Sequence, residues 1–590
     1  MIRKKDISEF FELEVEAAKK SWEALMKLPV KDRIRKRKAI QSVFLDKEYR
    51  SNSDDNYVLL RVTFSVNLSD FKEGECLVLH KEGSTSGIEC TLNSFEGDES
   101  IIIEVFPPKM PVDLSIYYDI PLILDKDVVD LRNPVYYPFV YSLPEQHDEF
   151  WNTMLMNKKA SPTIEKVEEC EAELDDTVEN YNQFFKDANI SFLTKQKEAV
   201  VNSMAAKDYY LIQGPPGTGK SFVLSWIILE EIMYLHHKVI VIGPNHMAIN
   251  NALGQVAKTF PTYPNIIKVG QSYNAPLIKV KAEDEERGIE NINRINTSYF
   301  NNFEHEWVIG LTPHSLYTSR AKGLECDTLI IDEAGQMTIP LALMGMIKAK
   351  KVILAGDHKQ LPPIVSSEEV RKEMRQSAFQ KLMTKDNCTM LDVSFRMCEP
   401  ICNYVSELFY DGKVKPMKKG CGSMIVCNDP LYDFHSPIII HNVDDDGEQT
   451  SDKEAEFIAT TIAGFINKGL PANEVAVLSP FRAQAANVRR HIRKQSEITE
   501  EQRKLIAADT IDKMQGQERE VIIYSLVSGD MDYITEMAEF LYNPNKMNVA
   551  FSRAKSKLII VGNIEQIKKI SSVEYPHIKK MIESNLVKFV

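Results

Sequence analysis

No apolar run in the 590-residue sequence approaches the ~18 residues needed to cross a bilayer, which excludes an ordinary membrane-spanning helix. Behind Met1-Ile2-Arg3-Lys4-Lys5-Asp6 there is no apolar segment of the kind that follows a secretory leader's basic start, so the expected location is cytoplasmic. Positive charge is also short: 71 Lys and Arg against 85 Asp and Glu give a net charge of −14. That sign excludes coating nucleic acid by bulk electrostatics, and leaves open a local basic channel. Cysteine is sparse and odd in number, nine scattered residues. Cys398, Cys402, Cys421 and Cys427 lie close enough to raise a metal question, but their spacing matches neither zinc pairs nor iron–sulfur runs. Reduced, small buried thiols are the expectation. Low-complexity tracts are absent. What remains, 44% hydrophobic and 26% charged, is ordinary globular material in a chain too long for one core.

Residues from about Asp6 to Lys47 carry apolar side chains at helical spacing (Phe10, Leu13, Ala17, Trp22, Leu25) and predict helices. Inside them Lys31–Lys38 (KDRIRKRK) is a basic run that fits a solvated helix face and a nucleic-acid contact equally well. From Tyr57 to Phe106 short alternating runs (Tyr57–Phe64, Cys76–His80, Ile101–Phe106) predict a small β-barrel. Residues from about Gln146 to Asp187 are helical and acidic. From Tyr209 onward strand, loop and helix repeat. One set of apolar runs is Tyr209–Gln213, Lys238–Ile242, Trp307–Gly310, Thr328–Ile331 and Val352–Ala355. A second set is Pro437–His441, Val475–Leu478, Val521–Leu526 and Leu558–Val561. Continuous apolar strands suit parallel sheets covered by helices on both faces. The reading divides the chain into a helical segment (1–50), a barrel (51–125), a helical linker (126–190) and two α/β domains (191–375 and 376–590).

The segment Gly214-Pro215-Pro216-Gly217-Thr218-Gly219-Lys220-Ser221 follows an apolar strand and precedes a helical run. Its glycines allow backbone N–H groups to turn inward around phosphates, and the following helix adds its N-terminal dipole. Lys220 suits the β- and γ-phosphates, and the Ser221 hydroxyl suits Mg²⁺. Thr328–Glu333 is an apolar strand ending in two acids, which puts Asp332 at the sheet edge to hold the Mg²⁺ shell. Glu333 is then free to activate the attacking water. A GTPase would need N-K-x-D, and Asn545-Lys546-Met547-Asn548 lacks the final acid. A small kinase has no need of a second α/β domain, whereas a motor does.

Seven ordered blocks carry a closer likeness: GPPGTGKS (214–221), IIDEAGQ (330–336), AGDHKQLPP (355–363), LDVSFRM (391–397), LSPFRAQ (478–484), DTIDKMQGQERE (509–520) and NVAFSRAK (548–555). From about Leu193 to Gly562 the chain resembles the superfamily 1 helicases, in the branch of the nonsense-mediated-decay and immunoglobulin-mu-binding helicases. That resemblance implies two tandem RecA-like P-loop domains with an N-terminal helical stalk and a small β-barrel. It implies ATP and Mg²⁺ as cofactors and single-stranded DNA or RNA as partner, tracked 5′→3′ with strand separation. An ATP-driven clamp that displaces proteins without unwinding fits the same motifs, as does action beside a partner nuclease or regulatory protein.

Position by position, the resemblance gives Gln196 the adenine edge and Phe395 an adenine-stacking place where the family usually has tyrosine. Gln360 becomes the γ-phosphate sensor, Arg396 and Arg553 the arginine fingers, and Glu518 a glutamate near the nucleotide. Pro244 and Asn245 stand where a P-S-N sequence touches the strand. Thr312, Ser479, Pro480, Arg482 and Thr510 match positions at strand ends that grip phosphates and sugars without reading bases.

Overall fold

The computed structural model describes residues 2–52, 57–67, 69, 71, 74–84, 86–96, 99–111, 113–143, 162–185, 189–270, 280–282, 285–287, 289–421, 425–514, 516–527, 529–570 and 574–590. The first helix, α1 (Lys4–Met26), buries Ile7, Phe10, Phe11 and Val15 on one face. Phe11 stacks on Tyr136 at 4.1 Å between centroids, and these rings join the core beneath the first parallel sheet. A short helix, α2 (Val30–Arg35), follows.

The expected helix through Lys47 is corrected. Ala39–Asn52 is strand β1 of a closed six-stranded barrel, with β2 (Val58–Thr63), β3 (Cys76–Lys81), β4 (Ile88–Phe95), β5 (Ser100–Val105) and β6 (Leu122–Lys126). Neighbours pair antiparallel in the order β1-β2-β5-β4-β3-β6. Val43 and Leu45 point inward with Phe44 exposed between them, a two-residue period that helical spacing does not satisfy. Ser42, at φ 57°, sits where the β1–β6 register shifts. The barrel therefore starts before residue 51 and closes at Lys126. Its seam is polar: the Arg33 Nε and Nη2 donate to both Asp125 oxygens at 2.9 and 2.8 Å, and the His80 Nε2 lies 2.8 Å from the same carboxylate.

The acidic helix expected from about Gln146 is present as Ile164–Phe184, capped by the Thr163 hydroxyl; residues 146–161 and 186–187 lie outside the described residues. Beyond it lie β7 (Tyr209–Gln213), β8 (Val239–Ile242), β9 (Ile266–Val269), the hairpin β10 (Val280–Ala282) and β11 (Glu285–Arg287), β12 (Glu290–Ile292), β13 (Val308–Gly310), β14 (Cys326–Ile331), β15 (Ala349–Gly356) and β16 (Cys388–Met390). Eight of these form a wholly parallel sheet, β12-β9-β13-β8-β14-β15-β7-β16. Alternate residues feed two cores: Leu329 and Ile331 go to one face and Ile330 to the other, so the strand is apolar throughout. The return of the chain to this sheet at β16 lies past the expected division after residue 375.

Next come β17 (Val393–Cys398) and β18 (Lys415–Lys418), a parallel pair that sets Cys398 beside Lys418. This brings Cys421 within reach, and Cys398 and Cys421 form a disulfide. The expectation of reduced thiols throughout is corrected for these two; the pairing of β17 with β18, not their spacing in sequence, brings them together. Among the described residues no group of three or more Cys, His, Asp or Glu is placed to hold a metal. The last strands, β19 (Ile438–Asn442), β20 (Val475–Ser479), β21 (Ala507–Thr510), β22 (Arg519–Ser525), β23 (Ala554–Gly562) and β24 (Lys588–Phe589), make a second parallel sheet in the order β21-β20-β22-β23-β19-β24. No helix among the described residues is long and apolar enough to cross a membrane.

Candidate active site

In a parallel α/β sheet, ligands collect at the carboxyl ends of the strands. The loop after β7 meets the acids after β14 at that edge of the first sheet, and β17 and the helix Pro544–Phe551 approach from the second. Together they line a cavity of about 380 Å³ that holds Gly214–Ser221, Asp332, Glu333, Gln360, Arg396 and Arg553.

The glycines of the loop are dictated by contact. A Cβ on Gly214 would sit 2.8 Å from the Lys220 side chain, and one on Gly217 would sit 2.5 Å from the Arg396 Cβ. Gly217 and Gly219 also have φ of 73° and 82°, a region open to glycine at little cost. Strand β17 is stitched to this loop: the Ser394 hydroxyl donates to the Pro216 carbonyl at 2.9 Å, and the Phe395 N–H to that of Gly217 at 2.8 Å. The Gln196 amide donates to the Thr218 carbonyl at 3.2 Å. Gln196 and Phe395 therefore flank the Gly219 turn, outside the cavity lining.

Lys220 Nζ donates to Asp332 Oδ1 and Glu333 Oε1, both at 2.6 Å. Burial works against the ammonium, and the two carboxylates outweigh it, so its pKa stands above the usual lysine value. The same cation divides the acids. Burial raises the pKa of Asp332; at Glu333 burial pushes the same way, but the charge and hydrogen bond of Lys220, with Arg553 and Gln336, together lower it. Glu333 holds φ 54°, and Gln336 donates to its Oε2 at 3.1 Å, which fixes the carboxylate facing the cleft.

Arg396 is ion-paired with Glu518 and donates to the Ser552 carbonyl at 3.3 Å. Arg553 is 4% exposed, and its Nε makes no hydrogen bond. Burial and then repulsion from Arg396 lower its pKa to about 10, with Glu333 and Glu518 pulling the other way. Two cations that repel each other in a buried pocket are a receptor for an anion, which relieves both costs at once.

A lattice of hydrogen bonds ties the cleft to the second sheet. Gln360 Nε2 donates to Asp357 Oδ2 at 2.9 Å, and the Tyr410 hydroxyl donates to the same oxygen at 2.5 Å. Asn545 donates to the carbonyls of His358 and Gln360, and Asn548 to that of Lys359 at 2.7 Å. Sequence reading missed Tyr410 and Asp357 in this role. It also missed Met247, Asn251 and Gln255, which line the cavity from the helix His246–Thr259. Their spacing of four was the available signal, one stripe along that helix.

The residues expected to touch nucleic acid do not converge on one pocket. Asn245 caps the helix His246–Thr259, accepting from the Ala248 N–H at 2.9 Å, and lines the nucleotide cavity beside Pro244. Thr312 opens the turn after β13. Ser479 and Thr510 are register partners at the ends of β20 and β21, both buried, with Pro480 following. Arg482 is exposed in a separate groove. For Mg²⁺, Ser221 and Asp332 supply one hydroxyl and one carboxylate on the same cavity. Hard oxygen donors in that small number suit an ion that keeps waters and takes the rest of its shell from phosphates.

Two family models, each described as an AAA domain, match the chain, one over residues 191–307 and 290–368 and the other over 374–565. The chain is 27% identical over 561 residues to the DNA polymerase alpha-associated DNA helicase A of Schizosaccharomyces pombe, covering 83% of this chain and 80% of that protein. It is 26% identical over 439 residues to the DNA replication ATP-dependent helicase/nuclease dna2 of the same yeast, covering 68% of this chain and 29% of that one. To regulator of nonsense transcripts 1 of Dictyostelium discoideum it is 26% identical over 425 residues, covering 65% and 31%. The chain belongs to the superfamily 1 helicases and is an ATP hydrolase that works with Mg²⁺.

Proposed function

We propose that the chain is a motor that moves 5′→3′ along single-stranded nucleic acid and separates strands as it goes. The observation that carries the motor is the composition of the nucleotide cavity, and the polarity follows from the family resemblance. The cavity's loop and acids come from one parallel sheet, and Arg396 and Arg553 come from elements packed on the other. In this reading the two sheets are tandem RecA-like lobes, with α1 and the Ile164–Phe184 helix as the stalk.

ATP enters with its phosphates against Gly214–Ser221 and its base beside Gln196 and Phe395. Lys220 exchanges its two carboxylates for phosphate oxygens, which frees Glu333 to orient and deprotonate the attacking water. Ser221 and Asp332 would hold Mg²⁺, which would supply positive charge against the phosphates. Arg396 and Arg553 stabilise charge on the transferring group only while the lobes are closed. Gln360 senses the γ-phosphate, and through Asp357 its position reaches Tyr410 and Asn548 of the second lobe. Opening and closing then alternate the grip of Thr312 on one lobe and Ser479, Pro480 and Thr510 on the other. The name of the dna2 relative joins helicase and nuclease in one protein; here a nuclease or regulator would act as a separate partner.

The test is ATP turnover with single-stranded DNA and with single-stranded RNA, together with 5′- and 3′-tailed duplexes. Stimulation by one or both polymers and separation of the 5′-tailed duplex are expected. Separation of only the 3′-tailed duplex overturns the polarity, stimulation without separation makes the protein a clamp, and no stimulation by either polymer overturns the motor.

A further inference from the structure

The basic run Lys31–Lys38 divides by burial. Arg33 turns inward to Asp125 and fixes α2 on the barrel. Arg35, Lys36 and Arg37 turn outward and are exposed. The helix ends there because Arg37 adopts φ 61° and the Lys38 N–H returns to the Arg33 carbonyl at 2.9 Å, a left-handed helix stop. Arg35 also meets Asp32 at 3.3 Å, an exposed pair that holds it only weakly.

These three cations form one wall of a groove of about 1180 Å³. The opposite wall belongs to the second lobe and carries Arg482, Arg489 and Lys513. The floor is the C-terminal half of α1, where Trp22 and Leu25 present apolar surface, and Trp22 is fixed by donating Nε1 to the Lys126 carbonyl at 3.0 Å. Asp127 and Asp509 are the acids of the lining, and Lys513 lies 3.6 Å from Asp509. Positive charge is thus concentrated here in a chain whose total is −14. Burial holds the Arg489 pKa below the usual guanidinium value; Asp509 opposes it, and the charges of Arg37 across the groove and of Arg493 on the same helix add to the lowering. The volume exceeds the roughly 300–1,000 Å³ of small-molecule sites, so the space suits a polymer.

We propose that this groove is an additional grip on the single strand, beyond the lobe residues. Phosphates lie between Arg35, Lys36 and Arg37 on one wall and Arg489 and Lys513 on the other, and bases pass over Trp22 and Leu25. The grip is sequence-independent and joins the N-terminal unit to the track. It rests on the motor reading, because Arg482 belongs both to this groove and to the expected strand contacts.

The full chain carrying Arg35→Gln, Lys36→Gln and Arg37→Gln is compared with the wild type by fluorescence anisotropy. The probes are labelled oligo(dT) and oligo(U) of about 5 and about 20 nucleotides, between about 50 and 200 mM salt. The long probes should bind roughly tenfold more weakly, with a salt slope shallower by about 2, from roughly 0.7 per lost phosphate contact. The short probes, which the lobes alone can hold, should change less than about twofold. Lys513→Gln, on the opposite wall, should shift the long probes in the same direction, and an unchanged melting temperature shows that each variant is folded. Equal affinity and equal salt slope for the long probes would overturn the groove. If the wild type binds neither polymer, the motor reading fails instead.

Discussion

The nucleotide cleft and the basic groove both lie where elements packed on the second parallel sheet meet the rest of the chain, and they treat charge in opposite ways. In the cleft most charges are enclosed and matched, Lys220 between Asp332 and Glu333 and Arg396 against Glu518, and buried Arg553 is repelled by Arg396. In the groove Arg35, Lys36 and Arg37 are exposed and face more cations across about 1180 Å³, against about 380 Å³ for the cleft. Chemistry on a phosphoryl group needs a small, dry, pre-set field. Holding a sliding strand needs many weak contacts that salt can screen. The contrast predicts that damage to the cleft shows in turnover and damage to the groove shows in salt dependence.

The largest effect is expected from Lys220→Ala. It removes the phosphate cation and leaves two buried carboxylates side by side, so ATP turnover with a saturating polymer should vanish at every salt concentration. Measurable turnover in that variant would break the cleft half of the comparison.

Next comes stability at the root of the groove. Arg33→Gln leaves buried Asp125 without its bidentate partner and should cost about 3–5 kcal/mol in urea unfolding. A loss below about 1 kcal/mol would mean that the seam does not anchor α2.

Lys268 tests the middle ground, a buried cation whose Nζ donates to the ring Nδ1 of His246 at 2.8 Å and not to an acid. Burial lowers its pKa from 10.5 to about 8, and burial with the charge of Lys268 lowers His246 from 6.5 to about 4. In both cases the unfolded chain binds more protons between the two values. Stability should therefore rise with pH from 4 to 6.5 and again from 8 to 10.5. Lys268→Met should flatten the upper window, a difference of about 3 kcal/mol at about 1.36 per pKa unit. A slope that survives in the variant would assign it to another group.

The smallest effect is that of Arg35→Gln, within about 0.5 kcal/mol in stability, because the side chain is exposed. The same basic run thus contains one residue expected to hold the fold and one expected to contribute little to it.

Much of this was legible in sequence where local pattern and final environment coincide. The nine apolar runs from Tyr209 to Val561 are strands because a strand buried on both faces shows as an uninterrupted apolar stretch. The loop at Gly214 declares itself because Gly217 and Gly219 hold φ of 73° and 82°, a local conformation that favours glycine. Arg396 and Arg553 were visible only through the order of the motifs, since a guanidinium gives no sign of the cleft it will cross. The start of the barrel was missed because the basic run and the helical spacing before it hide the two-residue period at Val43–Leu45. Tyr410 with Asp357 and the shared groove of Arg35 and Arg489 depend on elements far apart in the chain, and Cys398 with Cys421 depends on the pairing of two strands, so no local spacing encodes them.

The central claim is that the hydrolysis site is completed across the cleft by the second lobe. Arg553→Ala tests it most directly, with nucleotide binding and polymer-stimulated turnover measured on the same preparation. ATP affinity is predicted to stay within about threefold while turnover falls by about 10³–10⁵-fold, as for arginine fingers supplied to other phosphoryl-transfer sites. Turnover equal to the wild type would contradict the account.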